Sequence, residues 1–204
     1  MSTRPRMLAV SLAVVGVLAS TVPVAQAAHH DAPSRCDGRG VDAGSRIRYR
    51  SDVVIKAPLS TVWKLQTDVE RWPSWQPPVL TAERLDPGRL EKGSRFRWTT
   101  PVPASPTTPA TTLAITSTVQ ELRHHDRIVW SGPAVGEGLR IDEGVHLWTF
   151  RKVRGGVHVH TEETWTGAQV EEDVPTATAA LGAGLEAWLQ NLKSTAETRP
   201  TNRP

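Results

Sequence analysis

A helix-forming segment that leads directly into a tryptophan-rich turn constrains this chain more than any other feature. In residues 57–78, Pro58 suits a first helical turn, and the apolar residues that follow recur at the helical period. This pattern predicts an amphipathic helix of about three turns. Pro73 then ends the helix and favours an extended conformation at Trp72. Trp72 and Trp75 therefore form a short, rigid corner, which either fills a core or lines the mouth of a pocket.

A second amphipathic pattern lies near the C-terminus. Residues 175–198 predict the longest helix, because their large apolar side chains fall on one stripe: Leu181, Leu185, Trp188, Leu189 and Leu192. Gly182 and Ala183 leave room for a neighbouring element to approach closely. Gly182 and Gly184 also lower the intrinsic helix propensity, so packing must hold this helix in place.

Between the two helical segments, alternating and β-branched stretches predict antiparallel strands. Including one strand before the first helix, they cover residues 46–55, 79–85, 94–100, 111–122, 127–131, 139–153 and 156–165. Such an order of elements is typical of an α+β fold. We expect a curved antiparallel sheet that wraps around the terminal helix and leaves a cavity between helix and sheet.

Four prolines interrupt the strand pattern. Pro101, Pro103, Pro106 and Pro109 predict one loop, residues 101–109, that cannot be a strand. The role of this loop stays open between a lid and a variable surface loop.

Short motifs along residues 46–198 resemble those of one protein superfamily. They are Ala57-Pro58 with Val62-Trp63, Trp72-Pro73 with Trp75, Gly93-Ser94-Arg95-Phe96, Arg127-Ile128-Val129-Trp130-Ser131-Gly132, residues 145–150, Gly155-Gly156 and residues 161–167. The chain resembles the START-related polyketide cyclase/dehydrase and lipid-transport superfamily (SRPBCC). The resemblance implies the helix-grip fold, with residues 46–198 as the domain and 199–204 as a C-terminal tail. It implies function less closely, because binders, carriers and enzymes share this scaffold.

The first 27 residues are similar to a secretory signal peptide. Arg4 and Arg6 precede an apolar stretch, residues 8–19, that is too short to span a bilayer comfortably, and Ala25-Gln26-Ala27 is a small-x-small cleavage pattern. A retained signal anchor is the alternative. Cleavage lowers the formal net charge from +3 to +1, which argues against nucleic acid as a partner. We therefore expect a secreted protein that begins with a disordered tail, residues 28–45.

Composition indicates a bacterial source and limits the covalent and metal chemistry. Arginine far outnumbers lysine, and Ala, Gly and Pro are abundant, as is typical of a GC-rich bacterial genome. Cys36 is the only cysteine, so no internal disulfide can form. After cleavage, Ala28-His29-His30 would offer nitrogen ligands in the square geometry that Cu(II) prefers, although many tails carry such a histidine by chance. We otherwise expect no metal or cofactor, because the sequence has no Gly-rich phosphate loop and no nucleophile elbow.

The last predicted hairpin brings a histidine and a carboxylate together. If Arg154-Gly155 forms the turn, His146 faces Glu163 on the concave side of the sheet, with Cβ atoms about 5 Å apart. The pair either acts as general acid and base or is a satisfied polar pair at the cavity rim. If His146 is partly buried beside Glu163, we expect the carboxylate to raise its pKa above the usual value; burial acts in the opposite direction, so the sign of the shift shows which effect dominates. On the opposite face, solvated surface is favoured over a zinc site for His158, His160 and Glu162.

Three classes of function fit this pattern, and we favour the first. It is a secreted protein whose cavity binds a small apolar or aromatic molecule through aromatic side chains: Tyr49, Trp72, Trp75, Trp98, Trp130, Trp148, Phe150 and Trp188. The second, which the resemblance implies, is a cyclase or dehydratase that uses His146 and Glu163, assisted by Tyr49. Secretion argues against it, since polyketide cyclases usually act on carrier-bound intermediates inside the cell. The third is a structural or envelope-interaction protein without a ligand. Membrane contact is not indicated, and the oligomeric state stays open.

Overall fold

The computed structural model describes residues 40–104 and 109–199. Its strands are β1 (Ile47–Ile55), β2 (Thr81–Arg84), β3 (Arg95–Val102), β4 (Thr111–Arg123), β5 (Arg127–Gly136), β6 (Leu139–Val153) and β7 (Gly156–Thr166). Its α-helices are α1 (Leu59–Thr67) and α2 (Val174–Thr198), and 3₁₀-helices cover Val69–Ser74 and Val170–Asp173. The predicted signal peptide and most of the predicted tail, up to residue 39, lie outside the described residues.

The seven described strands form one curved antiparallel sheet in the order β1-β7-β6-β5-β4-β3-β2. Irregularities in register between Val119 and Glu121 and between Gly132 and Ala134 interrupt the pairing of β5 with its two neighbours. Such bulges bend strands and increase their twist. The arrangement confirms the predicted α+β helix-grip fold, in which the sheet wraps around the terminal helix. Within the described residues, neither helix combines the length and apolar character needed to cross a bilayer.

The terminal helix α2 has a capped start and a buried apolar stripe. The backbone N–H of Thr176 donates to the Asp173 carboxylate at 3.1 Å, and Pro175 occupies the first turn. All five residues of the predicted stripe are buried. Gly182 allows β1 to approach closely, because a Cβ at this position would lie 2.7 Å from Cε2 of Tyr49. Ala183, expected to share this role, is exposed instead.

The tryptophan corner is helical rather than extended, which corrects the expectation for Trp72. The 3₁₀-helix Val69–Ser74 contains both Trp72 and Pro73. The Trp72 indole is fully buried, and its Nε1 donates to the carbonyl oxygen of Gln66 at 3.2 Å. We attribute the difference to this burial, which outweighs the steric preference that a proline imposes on the residue before it.

Part of the predicted proline loop is strand. β3 continues through Pro101, which lies opposite Thr112 on β4. The pairing of β2 with β3 ends at Thr99, so Pro101 has no partner residue on β2. The backbone N–H that a proline lacks is therefore not needed on the β2 side of the strand. Residues 105–108, which include Pro106, lie outside the described residues.

Candidate functional site

A cavity of about 730 Å³ lies between α2 and the sheet. Much of its wall consists of aliphatic side chains from β4, β5, β6 and α2: Leu113, Ile115, Ala134, Ile141, Leu181 and Leu185. Cavities of this size and character are typical of small-molecule binding sites. The cavity predicted from the order of elements is therefore present.

An aromatic cluster centred on Trp72 fills the space beside this cavity. The Trp72 ring lies edge-on to those of Phe96, Trp98 and Trp188, with centroids 5.5, 5.9 and 5.0 Å away. Edge-to-face contacts at such distances are favourable beyond the area that they bury. Where α2 faces the cavity instead, it carries small residues, Ala180, Gly184 and Ala187 among them. Space therefore remains next to these small residues.

The structure separates the predicted aromatic ligand contacts into two groups. Trp98, Trp130 and Trp188 line the cavity, as do His146 and Glu163. The other five predicted contacts do not line it: Tyr49, Trp72, Trp75, Trp148 and Phe150.

The reason for this correction is packing. Trp72, Trp75, Trp148 and Phe150 are buried in the apolar core without reaching the cavity, whereas Trp130 and Trp188 belong to the same core and also line it. Tyr49 packs against Gly182, and its hydroxyl donates to Oε1 of Glu186 at 3.1 Å. This hydrogen bond, with the charge of Glu186, raises the pKa of Tyr49. Ligand contact by Trp98, Trp130 and Trp188 stays a prediction.

The register of β6 and β7 places His146 directly opposite Glu163, as the turn at Arg154-Gly155 predicts. Nδ1 of His146 lies 3.0 Å from Oε2 of Glu163. The His146 side chain is 7% exposed and the Glu163 side chain 17%. Both residues line the cavity. Because the Glu163 side chain is the more exposed of the two, a bound molecule reaches its carboxyl more easily than the imidazole of His146.

Both ring nitrogens of His146 are engaged by protein groups. Nε2 lies 2.9 Å from Oγ1 of Thr161, and the Thr161 hydroxyl donates to the carbonyl oxygen of Leu147 at 3.1 Å. Because a hydroxyl has one hydrogen, Nε2–H must donate to Oγ1. Nδ1 then either accepts a proton from a neutral Glu163 carboxyl or, in an imidazolium, donates to a carboxylate. The other oxygen of Glu163 accepts from Nε1 of Trp165 at 2.7 Å.

Burial favours the neutral arrangement. It lowers the pKa of His146 from 6.5 to about 3. It also raises the pKa of Glu163 from 4.5 to about 7, against the opposing effect of the Trp165 hydrogen bond. Of the two opposing effects of pairing and burial, burial therefore dominates, and the pKa of His146 is lowered rather than raised. Near neutral pH the titrating proton belongs to Glu163, and His146 is a neutral acceptor.

Gly144 leaves space beside Glu163, and Gly132 allows β5 to lie close to β4. Gly144 lines the cavity opposite Gly132, and a Cβ at Gly144 would lie 3.7 Å from Oε1 of Glu163. Gly132 has a φ of +157°, and a Cβ there would lie 1.9 Å from the carbonyl oxygen of Thr116. A side chain at position 132 would therefore require the backbone to move. A bound molecule can approach Oε1 of Glu163 over Gly144.

Some residues of this site were not predicted from the sequence. Thr161 lies two residues before Glu163 on β7, so the period of a strand already puts both on one face. That signal was sufficient to find it. In the same way, Gly144 lies two residues before His146 on β6, so the strand period predicts that both face the same side of the sheet. The aliphatic wall carries no comparable signal, because such residues occupy any core.

The opposite face of the hairpin carries the histidines of β7. His158 Nε2 lies 2.9 Å from Oδ1 of Asp52, in a pair that is well exposed. His160 is partly buried, which lowers its pKa. Among the described residues, no group of His, Cys, Asp and Glu side chains is placed to hold a metal ion. The predicted Ala28-His29-His30 copper motif lies outside the described residues.

Comparisons with known proteins identify the family. The family described as polyketide cyclase / dehydrase and lipid transport matches residues 46–197. The chain belongs to this family. A search of curated proteins finds no match.

Solved structures share the fold at low sequence identity. A START superfamily protein from Mycobacterium smegmatis has a TM-score of 0.57 at 14% identity, over 74% of this chain and 97% of that chain. The hypothetical protein jhp0584 from Helicobacter pylori has a TM-score of 0.58 at 15% identity, over 78% and 96%. The di-domain ARO/CYC StfQ from the steffimycin biosynthetic pathway has a TM-score of 0.55 at 17% identity, over 74% and 51%. These likenesses show the helix-grip fold alone.

Proposed function

We propose that this protein binds a small apolar molecule in the cavity between α2 and the sheet. The observation that carries the proposal is a cavity of about 730 Å³ whose wall is largely apolar and includes the His146–Glu163 pair. Binding sites for small molecules typically combine an apolar wall with a few polar groups that set orientation. Here the wall supplies affinity through buried apolar area, and Glu163 supplies the orienting contact.

Aliphatic side chains from α2 and the sheet, with Trp98, Trp130 and Trp188, surround the proposed ligand. Because these indoles line the cavity, a bound molecule should change tryptophan emission. Native mass spectrometry of the purified protein, followed by organic extraction, would detect a ligand that it carries. The neutral dye N-phenyl-1-naphthylamine then measures access to the cavity, because its emission rises in apolar surroundings.

A bulky residue at Gly184 provides the decisive variant. Gly184 lines the cavity, and a Cβ there would meet no atom within 4 Å, so Gly184→Phe should project its ring into the space. We expect dye affinity to fall about tenfold or more. Ala183→Phe is the matched control, because it adds the same side chain at a neighbouring exposed position that does not line the cavity. Equal dye binding by both folded variants would show that the dye does not use the cavity, and a protein that binds no apolar probe would favour a structural role.

A second candidate function is a cyclase or dehydratase, and the His146–Glu163 pair favours it. A carboxyl with a pKa of about 7 supplies both acid and base forms near neutral pH, as general acid–base catalysis needs. In the elimination of water from a β-hydroxy ketone, Glu163 would take the proton from the carbon next to the carbonyl. The departing hydroxyl would then receive that proton and leave as water. His146 would act as a positioning residue, since both of its nitrogens are engaged.

Turnover of a β-hydroxy ketone tests this candidate. Glu163→Gln should abolish turnover while the dye still binds, whereas His146→Asn should shift the pH profile of the rate. If Glu163→Gln reacts like the wild type, the observed reaction does not use this carboxyl. Equal rates with and without wild-type protein over a panel of β-hydroxy ketones would favour binding alone.

We also propose that the protein is exported. The proposal is supported by the pattern of residues 1–27, with Arg4 and Arg6 before an apolar stretch and Ala25-Gln26-Ala27 at its end. N-terminal sequencing of the protein from the culture medium should read Ala28-His29-His30. Recovery of only uncleaved protein in the membrane fraction would indicate a retained anchor instead.

A further inference from the structure

The ionisable side chains at the cavity wall are mostly acidic. Among the described residues, the ionisable side chains that line the cavity are His146, Glu163, Glu172 and Asp173, and no lysine or arginine joins them. Two of the carboxyl groups, Glu172 and Asp173, are exposed where α2 begins. The third, Glu163, is inside.

The start of α2 does not offset this negative charge. A helix N-terminus can bind an anion through its free N–H groups. Here the Asp173 carboxylate already accepts from the Thr176 N–H at 3.1 Å and from the Thr176 hydroxyl at 2.7 Å. These hydrogen bonds lower the pKa of Asp173, so it is ionised at neutral pH. The helix end therefore presents a carboxylate to the cavity mouth.

The two amide side chains of the wall already make hydrogen bonds to other protein groups. Gln76 donates from Nε2 to the Trp188 carbonyl oxygen at 3.2 Å and accepts from Asn191 Nδ2 at 2.9 Å. Gln169 donates to the carbonyl oxygen of Gly138 and accepts from the backbone of Arg140. Each amide has one N–H and its carbonyl oxygen engaged, and neither carries a positive charge, so an anion moved into such a wall loses its hydration without a cation in return.

The space beside Glu163 instead suits a donor. Oε1 of Glu163 has a second lone pair besides the one that receives Trp165 Nε1 at 2.7 Å. Gly144 leaves open the approach to this oxygen, because a Cβ there would lie 3.7 Å from it. A hydroxyl or ammonium group above Gly144 could donate to Oε1, whereas a carboxylate there would place two acceptors together.

We infer that the cavity selects neutral or cationic apolar molecules that carry a hydroxyl or amino group, and that it discriminates against carboxylates such as fatty acids. The inference rests on the proposed binding function. It assigns selectivity to Glu163 inside the cavity, reinforced by Glu172 and Asp173 at the mouth. Above about pH 7, where Glu163 is ionised, the attraction is larger at the inner position, since a charge interacts more strongly where water is excluded.

Three chain-matched probes test the inference: 1-decanol, decylammonium and decanoate, each used below its micelle concentration. Their displacement of N-phenyl-1-naphthylamine is measured at pH 8, where decanoate is ionised. We expect 1-decanol and decylammonium each to bind about tenfold or more tightly than decanoate. Glu163→Gln should reduce the ratio of 1-decanol affinity to decanoate affinity several-fold. Glu162→Gln, which removes a carboxyl from the neighbouring position on the other face of β7, should leave the ratio unchanged.

The outcomes separate the inference from the function on which it rests. Decanoate that binds as tightly as 1-decanol would overturn the inference and leave the binding function intact. Failure of the dye and all three probes to bind would overturn the binding function itself. The ranking of probes on the wild-type protein stands without any variant, so misfolding of Glu163→Gln would not remove the test. In that case Asp173→Asn, at the mouth, should still raise the affinity for decanoate relative to that for 1-decanol.

Discussion

Nδ1 of His146 lies 3.0 Å from Oε2 of Glu163 across the β6–β7 ladder, at the wall of a largely apolar cavity. At this distance the two groups could form an ion pair, but burial disfavours both charges. The neutral alternative satisfies every polar atom in line, from Trp165 Nε1 through Glu163, His146 and Thr161 to the Leu147 carbonyl oxygen. The pair is therefore a hydrogen-bonded relay that holds one proton on its carboxyl end.

The first prediction concerns how Glu163 links stability to pH. Its folded pKa of about 7 exceeds the usual 4.5, so the folded state binds more protons and stability falls as pH rises between these values. His146 has the opposite effect from about pH 3 to 6.5, where the unfolded state binds more protons. The two effects oppose each other between pH 4.5 and 6.5.

Glu163→Gln removes only the carboxyl contribution. Relative to the wild type, the free energy of unfolding of the variant should rise between pH 4.5 and 7, by about 3 kcal/mol at most. Urea unfolding across this range measures the change. Glu162→Gln, on the opposite face, controls for the loss of one carboxyl. A constant difference between Glu163→Gln and the wild type at every pH would contradict the raised pKa.

A second prediction concerns the tautomer of His146. Because the Thr161 hydroxyl donates to Leu147, the ring proton belongs on Nε2 and Nδ1 is the acceptor. Long-range ¹⁵N–¹H correlation spectra should show the Nε2–H form at pH 6, and the ring should stay neutral down to about pH 3. A titration near 6.5, or an Nδ1–H tautomer, would show that the relay is not formed as described. His158, exposed on the other face, provides an internal reference in the same spectra.

The sequence predicted the His146–Glu163 pairing because a tight turn and a period of two determine a hairpin register. Gly155, with a φ of +84°, occupies the turn between β6 and β7, and each step away from it alternates faces. The register does not determine whether an inward-facing side chain packs in the core or borders a cavity. Trp148 faces inward as expected, yet it is fully buried in the core rather than at the cavity.

The cavity position depends on packing that joins distant segments. The 3₁₀-helix carries Trp72 into contact with Phe96 of β3 and Trp188 of α2, and the helical conformation of this corner was not predicted. The pKa directions escaped prediction for a related reason. Sequence spacing puts a carboxyl beside an imidazole, but the extent of burial, which decides the sign, comes from the whole fold.

A third prediction compares two glycines of α2. A Cβ at Gly182 would lie 2.7 Å from the Tyr49 ring, so Gly182→Ala should destabilise the fold by about 1–3 kcal/mol. A Cβ at Gly184 would meet nothing within 4 Å, so Gly184→Ala should stabilise the helix by about 0.5–1 kcal/mol. Urea unfolding of both variants measures the contrast. Equal effects of the two substitutions would mean that β1 and α2 are not packed as closely as the structure shows.

A fourth prediction tests the approach to Glu163 over Gly144. Gly144 has no positive φ, and a Cβ there would make ordinary contacts, 3.5 Å to Trp165 and 3.7 Å to Glu163. Gly144→Leu should therefore fold, while its side chain covers Oε1 of Glu163.

The affinity for 1-decanol should then fall about tenfold or more, because the proposed hydrogen bond and part of the apolar space are both lost. Displacement of N-phenyl-1-naphthylamine measures the affinity, and urea unfolding checks that stability is retained. Val145→Leu enlarges the neighbouring residue on the other face of β6 and is the control. A folded Gly144→Leu variant with wild-type affinity for 1-decanol would place the ligand elsewhere in the cavity, away from the relay.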